Sequence, residues 1–250
     1  IPSGGRAARG RPLINILPLD GEERITAMLP LEEYRNDQFI FMATSNGTVK
    51  KTSLMDFSRQ RSKGLIAIEL EEGNTLIGAA ITDGGRDVML FGSHGKVIRF
   101  KESDVRAMGR TARGVRGIKL STDQEVISLM IPEENGKILI ACQNGYGKCS
   151  NFEDFSVIGR GGQGMIGMKM SERNGDVVGA IQVFEGDEAI LISDRGTLVR
   201  IRTGEVSQQG RNTQGVRLIN LSDGEHLVGL AQVQEPTSEE DSKVLSEDSE

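Results

Sequence analysis

One pattern returns four times along this chain at a spacing of about 50 residues, and an internal period of that length restricts the possible folds more than any other feature. Phe41-Met-Ala-Thr-Ser-Asn-Gly-Thr-Val-Lys-Lys51 recurs as Met89-Leu-Phe-Gly-Ser-His-Gly-Lys-Val-Ile-Arg99, as Leu139-Ile-Ala-Cys-Gln-Asn-Gly-Tyr-Gly-Lys-Cys149 and as Ile190-Leu-Ile-Ser-Asp-Arg-Gly-Thr-Leu-Val-Arg200. The shared glycines Gly47, Gly95, Gly145 and Gly196 lie 48, 50 and 51 residues apart. Each copy is an apolar run, a polar residue with glycine, and a second run. That is a hairpin signal, because a tight turn needs positive φ and glycine adopts it freely.

A second element is centred on Gly10, Gly64, Gly114, Gly164 and Gly215. Apolar residues stand four places later (Ile14, Ile68, Ile118, Met168, Ile219) and six places later (Ile16, Leu70, Leu120, Met170, Leu221), the alternation of a strand. A further apolar run follows, over 76–81, 126–131, 177–183 and 227–233. Each period thus holds about four strands, the content of one blade in a propeller-like ring. The chain opens inside the second element, so it reads as a fragment in which the first hairpin of the series is missing and the ring is incomplete. One all-β domain is expected over 1–234, consistent with 32 glycines, no tryptophan and no membrane-length apolar stretch.

The net charge of −6 argues against a nucleic-acid partner until it is localised. Residues 235–250 hold seven acids against Lys243, so the body is neutral and the arrangement of its bases decides. In the second arm of the hairpins, even offsets from the turn glycine carry Lys51, then Arg99 and Lys101, then Arg200 and Arg202, while odd offsets are mostly apolar. A period of two predicts one packed face and one cationic face. The third hairpin departs from this, with Lys148 one place early and Cys149 at the basic position. The loops ahead of the second-element glycines are basic as well: Arg6, Arg9 and Arg11; Arg59, Arg61 and Lys63; Arg106, Arg110, Arg113 and Arg116; Arg160; Arg211. With Lys50 and Lys96, and leaving out Arg106, these form the candidate DNA-contacting set. Scattered surface bases would merely keep a sheet soluble, but bases that return in register predict phosphate contacts along a stripe. Interleaved aromatics for stacking single strands are missing, which favours duplex DNA.

Asn46-Gly-Thr-Val-Lys-Lys-Thr52, Val97-Ile-Arg-Phe-Lys-Glu102, Val105-Arg-Ala-Met108, Gln143-Asn-Gly-Tyr-Gly-Lys148 and Gly210-Arg-Asn-Thr-Gln-Gly-Val216 resemble the C-terminal domains of DNA gyrase A proteins, from bacterial type IIA topoisomerases. The resemblance runs from Ser3 to Pro236. It implies a β-pinwheel, a ring of four-stranded blades that exchange a strand, with duplex DNA wrapped on its basic rim. It further implies the rest of gyrase A, together with gyrase B, as partners in an A2B2 heterotetramer on the cytoplasmic chromosome. The catalytic, Mg and ATP sites that drive negative supercoiling would lie elsewhere in that enzyme, leaving no cofactor in this chain. The family's Gln-Arg-Arg-Gly-Gly-Lys-Gly loop is absent, and Gly159-Arg-Gly-Gly-Gln-Gly164 stands in the equivalent place of a later repeat with one Arg and no Lys.

Rival readings are the corresponding C-terminal domain of topoisomerase IV, a protein-binding propeller and a propeller hydrolase. The last needs clustered carboxylates or a nucleophile with its base, and none stands in register. His94 and His226 are expected to face solvent. With a two-residue loop at Asn144-Gly145, Cys142 and Cys149 would lie diagonally on one face, roughly 7–8 Å apart, as free thiols. The acidic segment 235–250 has a disordered composition and is a candidate competitor for the basic rim.

Overall fold

The computed structural model describes residues 23–59, 61 and 63–233. Arg6, Arg9, Arg11 and the acidic segment 235–250 lie outside the described residues. The described strands are β1 (Phe39–Thr44), β2 (Thr48–Ser53), β3 (Leu76–Thr82), β4 (Asp87–Gly92), β5 (Lys96–Lys101), β6 (Val115–Arg116), β7 (Val126–Met130), β8 (Lys137–Cys142), β9 (Tyr146–Asn151), β10 (Met165–Ile166), β11 (Val177–Val183), β12 (Glu188–Ser193), β13 (Leu198–Arg202), β14 (Val216–Arg217) and β15 (Leu227–Val233).

They form antiparallel sheets in the orders β3-β1-β2-β6, β10-β5-β4-β7, β11-β8-β9-β14 and β13-β12-β15. The chain order explains the exchange. After the β4–β5 hairpin the chain crosses back to pair β6 with β2 of the preceding sheet, then returns as β7 beside β4. β10 and β14 repeat the excursion onto β5 and β9. The long strands β3, β7, β11 and β15 contact one another in succession, which makes theirs the inner edge and puts the crossing segments on the outer edge. The cores lie between successive sheets. Phe41 and Val49 pack with Leu90, Ile98 and Phe100, and Met89 and Phe91 pack with Ile138 and Ile140. No strand of the fourth sheet pairs with the first, so the described sheets do not close into a ring.

The hairpin turns differ from the two-residue reading. Gly47, Gly95 and Gly145 each end a three-residue loop and Gly196 stands third in the last one, all at φ between +75° and +85°, and each amide donates to the carbonyl three residues back at 3.0–3.1 Å. This is a type I turn closed by a left-handed glycine. The third hairpin therefore pairs Ala141 with Gly147 and Leu139 with Cys149. A shift of one residue turns a side chain to the other face. Cys142 thus joins Ile138 and Ile140 between the second and third sheets, while Cys149 joins Leu139 between the third and fourth, which corrects the expectation of a shared face. Both thiols are free and buried, and burial pushes them up to about 12 and about 11.

Candidate nucleic-acid interface

The register of bases in the hairpins has a structural cause other than an open cationic face. The residue four places after Gly47, Gly95 or Gly145 reaches a short 3-10 turn of the next blade. Lys51, only 6% exposed, donates its Nζ to the Glu102 carbonyl at 3.2 Å and lies 5.1 Å from the Phe39 ring centroid. Arg99 donates to the Phe155 carbonyl at 2.9 Å, stacks 3.7 Å from the Phe152 ring centroid and grips Asp87 through Nε at 2.8 Å and Nη2 at 2.6 Å. Cys149 sits at the same place beside the Thr203 carbonyl, its Sγ 4.0 Å away.

Lys51 and Arg99 are therefore fasteners between blades, which corrects their assignment to a solvent-facing cationic surface. Lys101 is exposed but pairs with Asp87 at 2.6 Å, Arg200 is exposed and pairs with Glu188, and exposed Arg202 lies 3.5 Å from Glu205. Burial raises the Asp87 pKa, but the hydrogen bonds and charges of Lys101 and Arg99 outweigh it and hold the carboxyl below its usual range. Arg99→Ala leaves Asp87 with Lys101 alone and the Phe155 carbonyl without its donor. A loss of about 2–4 kcal/mol is expected in urea unfolding. An arginine that served only to touch a ligand would leave the unfolding midpoint in place.

Lys50 and Lys148 are a second correction, since both are fully buried. They stand three places after the turn glycine, on the packed side of the outer strand. Lys50 Nζ donates to the carbonyls of Ala67 at 2.7 Å and of Arg110. Lys148 Nζ donates to the Gly210 carbonyl at 2.7 Å, the Arg211 carbonyl and Thr213 Oγ1 at 3.1 Å. An ammonium surrounded by protein oxygens cannot meet a phosphate.

The crossing loops keep their bases in the open. Arg59, Arg61, Lys63, Arg106, Arg113, Arg116 and Arg160 are exposed, while Lys96, Arg110 and Arg211 are half-buried. Arg113 makes a solvated pair with Glu69 at 2.9 Å, of the kind worth little in water. The loops are joined along the outer edge by a recurring link. Arg110, Arg160 and Arg211, each four places before its loop glycine, donate to the carbonyls of Ile66 (3.3 Å), Arg116 (3.1 Å) and Ile166 (3.2 Å), each two places after the preceding one. Backbone bonds join the same loops in the opposite donor direction, from Lys119 N to Gly162 O at 2.8 Å and from Lys169 N to Thr213 O at 2.9 Å. Arg59, Arg61 and Arg110 line a polar recess of about 480 Å³ together with Asp56.

Two exposed bases on this edge, Lys119 and Lys169, are additions to the sequence-derived set. The signal for them was present. They stand five places after the loop glycine, between the buried fourth residue (Ile118, Met168) and the half-buried sixth (Leu120, Met170), so the same alternation turns them outward. The histidines are partly open to solvent, the His94 side chain by 34%. His94 is half-buried, with Nε2 3.8 Å from Asp123 and 3.9 Å from Asp176, and His226 is half-buried too.

The repeat spacing and the four-stranded sheets agree with comparisons to known proteins. Residues 1–32, 38–83, 86–133, 136–183 and 187–234 match the family model for the DNA gyrase C-terminal domain, a β-propeller. The DNA gyrase A protein of Salmonella typhimurium is 54% identical over 241 residues, which are 96% of this chain and 27% of that protein. The gyrase A protein of Pseudomonas aeruginosa is 51% identical over 284 residues, covering 96% of this chain and 31% of that protein. The chain therefore spans less than a third of the curated relatives it matches. A solved DNA gyrase A C-terminal domain superposes with a TM-score of 0.81 at 28% identity, covering 91% of this chain and 76% of that one. The C-terminal domain of a DNA topoisomerase IV superposes with a TM-score of 0.87 at 24% identity, covering 96% and 76%, a likeness of fold. With five matched segments in step with its internal repeats, the chain belongs to the family of DNA gyrase C-terminal domains.

Proposed function

We propose that this chain binds duplex DNA through the phosphates, on the outer edge built by its crossing loops. As the C-terminal part of a gyrase A protein it wraps that DNA with a fixed hand. It thereby supports ATP-dependent negative supercoiling by the type II topoisomerase formed with the rest of gyrase A and with gyrase B in an A2B2 heterotetramer, in the cytoplasm on the chromosome. ATP hydrolysis, Mg binding and strand cleavage belong in this reading to other parts of the enzyme.

The observation that carries the proposal is the linked outer edge. Exposed Arg113, Arg116, Lys119, Arg160 and Lys169 lie in or beside crossing segments, and exposed Arg59, Arg61 and Lys63 lie in the preceding loop, whose residues Ile66 and Glu69 are met by Arg110 and Arg113. The loops are hydrogen-bonded from one repeat to the next. A row of guanidinium and ammonium groups along one linked edge suits a backbone with regularly spaced negative charge. It offers no preference for bases, because contacts to phosphate carry no sequence information.

The test is a titration of two unrelated duplexes at two salt concentrations. Equal affinities for both sequences and a steep fall with salt are expected, with a slope of about −0.9 per phosphate contacted. Binding that ignores salt, or that is confined to one sequence, contradicts the proposal.

A further inference from the structure

Lys148 is one of the largest fully buried side chains of the fold, yet all three of its hydrogen-bond acceptors are neutral oxygens. Those oxygens belong to one crossing loop, and Thr213 Oγ1 in turn donates to the Gly210 carbonyl at 3.0 Å. Two blades earlier Lys50 occupies the same position in its hairpin and makes the equivalent contact. In both cases the ammonium holds the main-chain carbonyl of an arginine, Arg110 or Arg211, whose guanidinium reaches sideways to the segment of the preceding repeat. The blade between them has Ile98 at that place, buried in the apolar core. A buried charge without a charged partner is costly to keep, and an apolar residue fits the site, so the two lysines call for a role beyond packing.

We propose that Lys148, with Lys50 as its counterpart, is a positioning residue for the DNA-contacting edge: it fixes the backbone of the crossing loop from beneath and so sets where Arg211 is presented. The assignment rests on the proposed DNA binding, but its first consequence is measurable without DNA. The groups facing the ammonium are Cys142 of β8, Asp154 of the turn after β9 and Arg211 of the loop. Burial pushes the lysine down to about 8; Arg211 acts in the same direction, while Cys142 and Asp154 oppose it. If the loop lifts and water reaches the amine, its pKa returns toward the ordinary value of 10.5. The open loop then binds more protons than the closed one between about pH 8 and 10.5, so opening becomes rarer as pH rises through that window, by up to about tenfold per pH unit.

The experiment is hydrogen exchange of the 209–215 loop amides as a function of pH, corrected for intrinsic rates, with duplex DNA affinity measured on the same samples. The proteins are the unaltered 250-residue chain, Lys148→Met and Thr213→Val. In the unaltered chain, protection of 209–215 is expected to rise above about pH 8, while the 159–164 loop, which has no lysine beneath it, stays flat. Lys148→Met is expected to exchange about tenfold faster in 209–215 alone, to lose the pH dependence and to bind DNA about five- to tenfold more weakly at neutral pH. Thr213→Val removes one acceptor and is expected to give about a threefold rise in exchange, which keeps the test open if the methionine variant does not fold. Unchanged exchange in the variants overturns the positioning role. Faster exchange with unchanged DNA affinity overturns its link to DNA. Absence of salt-dependent DNA binding by the unaltered chain overturns the functional reading itself, and leaves the exchange result to judge the loop.

Discussion

Changing Arg59, Arg61, Lys63 and Arg116 together to glutamine is expected to lower affinity for duplex DNA of any sequence by roughly a thousandfold at moderate salt. The salt slope should fall by about 3.6, or 0.9 for each contact removed. The size of the effect follows from counterion release: each base that leaves the edge returns one condensed cation to the DNA and takes about one charge-assisted contact with it. These four side chains are exposed and make no ion pair with another described residue, so thermal stability should hardly change. Binding measured by anisotropy at several salt concentrations checks the prediction. An unchanged slope would mean that the loops do not touch phosphate. The same experiment on Lys51 and Arg99 has a different expected outcome, because those residues fasten blades. Loss of DNA binding there would follow loss of structure.

Gly95→Ala is expected to destabilise the fold by about 4 kcal/mol, and the corresponding change at Gly196 by about 1 kcal/mol. Both glycines hold positive φ, +75° and +81°, so both variants bear the left-handed penalty. They differ in what a methyl group meets. At Gly95 a Cβ would stand 2.3 Å from the Met168 carbonyl oxygen and 2.7 Å from the Met170 sulfur. The crossing segment lies directly on the turn there, with Gly167 N and Met168 N both donating to the Gly95 carbonyl at 2.8 and 3.1 Å. At Gly196 nothing stands within 4 Å, because no described segment crosses onto the fourth sheet. Thermal or urea unfolding of the two variants separates the terms. Equal losses would show that backbone strain dominates and that the crossing segment is a loose cover.

The architecture was legible in the sequence because its cause is local and repeated. Turn glycines, alternating apolar runs and a constant period are all set by φ and by which face is buried, and the return strands fall within a residue of where the apolar runs put them. Loop length was not legible at that level: Asn144-Gly145 suits a two-residue turn, but the left-handed glycine here closes a type I turn one residue longer, and the cysteines separate to opposite faces. The basic register was visible, but its purpose was not. A base every blade is what a phosphate track requires, and it is also what a ring requires if each blade clamps the turn of the next. Only the partners distinguish them, as when Arg99 meets Asp87, Phe152 and Phe155 while Arg116 meets solvent. Lys50 and Lys148 show the limit of composition as a guide, since a lysine reads as surface until its carbonyl cage is seen.

That the crossing loops are what meets the phosphates is tested most directly by mapping which arginines DNA covers, using an arginine-selective dicarbonyl reagent on the free and DNA-bound chain with readout by mass spectrometry. Protection is predicted at Arg59, Arg61, Arg106, Arg113, Arg116 and Arg160 of the crossing loops, with unchanged labelling at Arg173 and Arg195 beside the hairpin turns. Protection of Arg173 and Arg195 with the crossing-loop arginines still reactive would contradict it.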